Sequence, residues 1–226
     1  MKFLLTLIII FVAALAAFTL GGVTLNDGGA PGGKGTGTAL SDLLSGVEDK
    51  KDEVQSEAVP YDWRLRHVHV IGDSLTVSAK KEIKEAIPGS SVDGKVSRGM
   101  AEGVKIYRSW VDDGLVEDDD IIVIALANNV GSGTIPSLDS VIEDIGPKQS
   151  LVLVTGHGKE NMKPVNEYIR TLPDDFPFIV VADWDEAISA NSSWLSGDGV
   201  HISNDKGNKL YADIIVDALE KTAPLS

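Results

Sequence analysis

The chain has 226 residues, 20 Lys and Arg against 34 Asp and Glu, and no Cys, for a formal net charge of −14. Its length fits one domain of about 150–200 residues with segments to spare, and a hydrophobic content of 43% is too high for a chain disordered throughout. The acidic balance argues against nucleic-acid binding, which needs clustered cations, and the lack of Cys excludes disulfide scaffolds, zinc ribbons and cysteine nucleophiles.

Residues 3–20 form an unbroken run of 18 whose only polar members are Thr6 and Thr19, with Lys2 ahead of it and nothing basic until Lys34. This asymmetry keeps the N-terminus cytoplasmic and sends the rest of the chain across the membrane. The run is long for a signal-peptide core of about 7–15 residues and short for a span of about 17–25. Ala14-Leu15-Ala16 offers a small-x-small cleavage site. Residues 1–22 therefore read as a hydrophobic helix, either signal peptide or membrane anchor, and the remainder as exported, secreted or tethered. Residues 21–37 carry 8 glycines in 17 positions, and residues 48–53 are all charged. Residues 23–60 thus read as a flexible linker that cannot bury enough apolar surface to offset its ordering entropy. Residues 61–226 remain as the folded domain.

From residue 61 the pattern alternates. Residues 68–71 read as a strand ending at Gly72, residues 75–87 as a helix stopping at Pro88-Gly89, residues 91–96 as a second strand and residues 100–111 as a second helix. Residues 121–127, 150–154 and 178–182 are continuous β-branched and aliphatic runs, as expected of strands covered on both faces. Residues 160–172 and 205–219 have helical spacing. Five buried strands alternating with helices call for a parallel sheet in a three-layer α/β/α sandwich. In open sheets of that kind reactive groups collect just beyond the carboxyl ends of the strands.

Gly72-Asp73-Ser74-Leu75 comes directly after the first strand. A serine between strand and helix is well placed to be a nucleophile, although Asp and Ser also suit an ordinary helix cap. Asp198-Gly199-Val200-His201 lies in a Gly- and Ser-rich loop before the last helix. A serine hydroxyl needs a base, which a neutral imidazole supplies, and the imidazole needs a carboxylate to fix its tautomer. Asp198, three residues before His201, is placed to do so.

These blocks resemble the first and last blocks of the SGNH (GDSL) hydrolase superfamily. The segments at residues 92–98, at Leu126-Ala127-Asn128-Asn129 and at Asp183-Trp184 extend the likeness to the extracellular SGNH domain of peptidoglycan O-acetyltransferases, in the expected order over residues 63–223. The resemblance implies a flavodoxin-like arrangement of the sheet. It implies Ser74 as nucleophile, His201 as general base and Asp198 as its orienting partner. The oxyanion hole would combine the Ser74 N–H, a backbone N–H of the Ser97-Arg98-Gly99 turn and the Asn129 amide. Two departures stand out. The family's Gly before the Asn is Ala127 here, whose methyl could narrow the pocket or shift Asn129. The second block's glycine corresponds to Ser97 or Gly99. Asn128 competes with Asn129, but strand alternation lets only one of the pair face the crevice.

Arg98, His157 and Trp184 are further candidates for substrate contact, each with a plainer reading: an acidic partner for Arg98, a loop position for His157, core packing for Trp184. His67 and His69 share a strand face but lack a third ligand for a metal. Asp73 reads as a brace for the turn through local hydrogen bonds. The mechanism needs no metal and no organic cofactor. The resemblance points to an exported serine acyl-ester enzyme that forms an acetyl-enzyme and passes the acetyl group to cell-wall glycan, at the C6 hydroxyl of N-acetylmuramic acid. Family members usually carry a multi-span membrane domain, whereas this sequence offers at most one span. Either a separate membrane protein would supply the acetyl donor, or the chain is simply an esterase on a small acyl ester. A carbohydrate or acetyl esterase, a GDSL lipase and a non-catalytic glycan-binding relative remain open.

Overall fold

The computed structural model describes residues 61–146 and 148–223; the hydrophobic run of residues 1–22 and the linker of residues 23–60 lie outside the described residues. In chain order the main elements are β1 (Val68–Gly72), α1 (Ser74–Ser78), α2 (Lys80–Ala86), β2 (Ser91–Gly94), α3 (Met100–Asp112), β3 (Ile121–Ala125), α4 (Thr134–Asp144), β4 (Ser150–Val154), α5 (Lys163–Asp175), β5 (Ile179–Ala182), α6 (Trp184–Ser189) and α7 (Asp205–Leu219). The strands form one sheet in the order β2-β1-β3-β4-β5, and every neighbouring pair is parallel.

Alternation along the strands builds two cores. Val70, Val123, Val152 and Ala182 pack against Leu75, Ile83, Trp184, Tyr211 and Ile215 of α1, α2, α6 and α7. Ile71, Ile122, Ile124 and Leu153 pack on the other face against Val104, Leu138 and Ile169 of α3, α4 and α5. The three-layer sandwich and the flavodoxin-like strand order expected from the sequence are both present.

The register fixes where the loops emerge. Gly72 of β1 pairs with Gly94 of β2 and with Ala125 of β3, so the chain leaves these three strands at one level. Val154 and Ala182 are likewise level at the ends of β4 and β5. The chain turns from β1 out to β2 and then crosses back to β3, so the loops after β1 and β3 diverge and open a crevice between them. Gly72 is required at this exit because a Cβ there would sit 1.8 Å from Thr76 Oγ1.

Four details differ from the sequence reading. The single helix expected over residues 75–87 breaks at Ala79 (φ −91°, ψ 9°) into α1 and α2. β2 lies at the edge of the sheet and is only partly buried, which is why it is polar. The regular part of β3 ends at Ala125, two residues early, although Leu126 and Ala127 stay buried. Helices α4 and α6 were not expected. The inner face of α4 is Leu138, Val141 and Ile142, but Pro136 masks it in the sequence, and α6 spans under two turns.

Candidate active site

Asp73 caps α1, accepting from the Leu75 N–H at 2.9 Å, and its own N–H donates to Ala125 O of β3, continuing the β1–β3 ladder by one rung. The next residue, Ser74, is thereby held at the head of α1 with its Oγ 3.1 Å from His201 Nε2. His201 Nδ1 lies 2.6 Å from Asp198 Oδ2, and Asp198 Oδ1 accepts from the Val200 and His201 N–H groups, both at 3.0 Å. The turn closes through Gly199, whose φ of +68° suits glycine, and through a bond of 2.7 Å from the Ser196 N–H to His201 O. The hydrogen bond from His201, joined by the two backbone donors, holds the Asp198 carboxyl well below the usual carboxylate range. An ionised Asp198 makes Nδ1 the protonated ring nitrogen and leaves Nε2 to accept from Ser74.

Burial works the other way on Asp73. Its carboxyl, removed from water, is pushed up to about 6, against the hydrogen bond from Leu75. Its second oxygen receives the Asn129 amide at 3.4 Å, so that side chain turns toward the Ser74 end of the crevice. The Asn128 side chain is buried, its oxygen accepting from the His157 N–H at 3.0 Å, while its hydrogen bonds to Asp73 also oppose the upward shift there. Both asparagines lie past the end of β3, in a turn, so strand alternation does not set their directions. The methyl of Ala127 lies inside the core under α3 to α5 and is 1% exposed.

In the turn after β2, Ser97 is exposed with φ +61°, and the Arg98 N–H closes the turn on Lys95 O at 3.2 Å. Gly99 is the residue that abuts Asn129, whose carbonyl oxygen would lie 3.7 Å from a Cβ at Gly99. Among the described residues the Ser74 and Gly99 N–H groups have no hydrogen-bond acceptor. Gly99 thus neighbours Asn129, and the Asn129 amide meets the residue directly before Ser74.

Two sequence expectations are corrected. Trp184 is 0% exposed, with its ring edge-on to Tyr211 at 5.0 Å, and so belongs to the core. Arg98 is 3% exposed and engaged in bonds to Asp93 O at 2.7 Å, Asp93 Oδ1 at 3.1 Å and Gly72 O at 3.2 Å. It ties the β1 and β2 exits together and has no free face for a substrate anion. His69 is buried against Asp120 at 2.9 Å and His67 bonds Ser91 Oγ at 2.9 Å, both at the opposite end of the sheet. A concavity of about 540 Å³ also opens at that end, lined by Trp63, Arg66 and His67 among others, and contains none of the candidate site residues.

His157 is bonded through its ring to neither the core nor the far end of the sheet. It lies just past the end of β4, and its Nδ1 is 2.7 Å from Asp185 Oδ1. Asp185 was missed in the sequence, although it lies three residues past the end of β5, where a search beyond strand ends could have found it.

No protein-family model matches the chain. Among solved structures it is similar to the C-terminal catalytic domain of the Streptococcus pneumoniae peptidoglycan O-acetyltransferase A, at 25% identity and a TM-score of 0.63, covering 69% of this chain and 93% of that domain. The chain resembles the SGNH peptidoglycan O-acetyltransferases. A Veillonella parvula member of the lipolytic G-D-S-L family shares the fold at 14% identity and a TM-score of 0.57, covering 67% of this chain and 97% of that one. The O-acetyltransferase OatA of Staphylococcus aureus strain NCTC 8325 is 24% identical over 154 residues, 68% of this chain. The chain spans a quarter (25%) of the length of that relative.

Proposed function

We propose that residues 61–226 form a serine acyl-ester enzyme that works through an acetyl-enzyme and transfers acetyl groups to cell-wall glycan. The observation that carries this reading is the hydrogen-bonded series Ser74 Oγ, His201 Nε2, His201 Nδ1, Asp198 Oδ2, with links of 3.1 and 2.6 Å. In the first half-reaction Ser74 Oγ bonds to the carbonyl carbon of an acetyl ester while its proton passes to His201 Nε2. The oxyanion is held by the Ser74 and Gly99 N–H groups and the Asn129 amide. The carbonyl re-forms, the bond to the leaving oxygen breaks, and His201 returns the proton to the departing alcohol. In the second half a sugar hydroxyl repeats the sequence: its proton goes to His201, its oxygen takes the acetyl carbon, and Ser74 leaves reprotonated. Asp198 stays ionised throughout and stabilises the imidazolium.

On this reading residues 1–22 are the export signal or anchor and residues 23–60 the tether that holds the domain outside the membrane. The acetyl group is handed to Ser74 by a separate multi-span membrane protein. The likeness to the pneumococcal domain supports the choice of glycan as acceptor.

The test measures acetate release from an aryl acetate with and without a chito-oligosaccharide. Acetylated sugar formed by the wild-type chain and not by Ser74→Ala supports transfer. Acetate alone makes the chain an esterase of the same fold, a reading favoured by the half-exposed His201 and Asp198, which water can reach. A wild-type chain inert on every ester leaves a glycan-binding domain.

A further inference from the structure

We propose that His157 binds the acceptor sugar, its Nε2 accepting a hydrogen bond from a sugar hydroxyl beside the Ser74 site; this rests on the glycan-transfer reading above. The four residues after β4, Thr155-Gly156-His157-Gly158, are fixed one by one. Thr155 Oγ1 donates to Asp183 Oδ1 at 2.9 Å and accepts from the Asp185 N–H at 3.0 Å. Gly156 is gripped on both sides by the Asn166 amide, its N–H donating at 2.8 Å and its carbonyl accepting at 2.6 Å. The His157 N–H donates to Asn128, the immediate neighbour of Asn129. Gly158, at φ +106°, lies so close to the His201 turn that a Cβ would sit 2.2 Å from Gly199 O. Residue 157 therefore stands between the strand end that carries Asn129 and the turn that carries Asp198 and His201.

The ring is oriented as firmly as the backbone. Asp185 Oδ1 takes Nδ1 at 2.7 Å, while Asp185 Oδ2 is held by Arg170 at 3.1 Å. Arg170 is fixed in turn by two bonds to Asp183, at 2.7 and 2.9 Å. A carboxylate paired with a guanidinium accepts from an imidazole and does not donate, so Nδ1 carries the ring proton and Nε2 is left as an acceptor. Nε2 has no partner among the described residues and is not among the enclosed unpartnered atoms, so it is open to an incoming group. A sugar presents O–H donors all around its ring, which suits an acceptor fixed at the edge of the cleft.

The experiment measures chito-oligosaccharide affinity by calorimetry on the full chain carrying Ser74→Ala, so that turnover plays no part. His157→Asn keeps a donor where Nδ1 was and deletes Nε2; His157→Gln keeps a polar atom where Nε2 was. We expect Asn to weaken binding about three- to tenfold, the range for one hydrogen bond, and Gln to recover most of it. Asp185→Ala releases the ring without altering it and is expected to weaken binding by a similar factor. If His157→Asn and Asp185→Ala bind like the parent, the assignment fails while the transfer reading stands. If the parent itself does not bind the oligosaccharide, the glycan reading fails and takes this assignment with it.

Discussion

The Asn129 side-chain nitrogen contacts Asp73 Oδ2 at 3.4 Å, tying the proposed oxyanion donor to the carboxylate that directly precedes the proposed nucleophile. One proton of that amide is directed to Asp73, and the other remains for an acyl oxygen. Asn129→Ala should lower kcat on an aryl acetate by about 10²–10³, the usual loss for one oxyanion donor. Asn128→Ala should act differently, loosening the His157 loop and lowering the melting temperature. Steady-state kinetics beside thermal unfolding of both variants separates the two effects.

The serine relay makes a stronger demand. Ser74→Ala and His201→Ala should each reduce acetate release by at least about four orders of magnitude. Asp198→Asn should approach a loss of about 10⁴, since it unsettles the His201 tautomer. His201 and Asp198 are half-exposed, so circular dichroism of these variants should match the parent. A Ser74→Ala chain with full esterase activity removes the mechanism.

Asp73 predicts a pH effect on stability. Its folded pKa is raised by burial to about 6 from an ordinary 3.8. The folded state therefore binds this proton more tightly than the unfolded state. The contribution favours folding below about pH 4 and is lost as the pH rises through about 6, for a full difference of about 3 kcal/mol. Between pH 7 and pH 4 the wild-type chain should gain up to that amount relative to Asp73→Asn. Urea unfolding of both proteins at each pH measures it, and a constant difference between them contradicts the buried, proton-binding carboxyl.

Trp184 gives a test of its reassignment to the core. Trp184→Phe should lower stability by about 1–3 kcal/mol through the space left against Tyr211, with KM for aryl acetate unchanged per folded molecule. A raised KM with unchanged stability would return Trp184 to the cleft.

Much of this was legible in the sequence for physical reasons. β3 and β4 are wholly buried, so their sequences are mostly unbroken apolar runs, and strand position directs attention to Ser74. His201 stood out instead by its spacing from Asp198 in a Gly- and Ser-rich loop, and Asn129 by the family resemblance. The split at Ala79 was not legible because both halves keep one apolar face, Leu75 and Ile83 lying in the same core. The burial of Arg98 was hidden because its partners are mostly backbone carbonyls, which leave no trace in residue type. Asp185 lies past a strand end like the other candidates, but its pairing with His157 spans 28 residues and leaves no mark in the local pattern.

The turn that bears Asp198 and His201 leaves 50% and 51% of those side chains in contact with solvent. On the proposed mechanism an acyl group resting on Ser74 would sit in an open groove where bulk water competes with every incoming alcohol. Loss to hydrolysis would then be limited by residence time: the longer a polymer strand stays seated against the rim, the smaller the fraction of acyl groups wasted. Processing speed and fidelity would pull against each other, because a strand held long enough to outcompete water is also one that departs slowly.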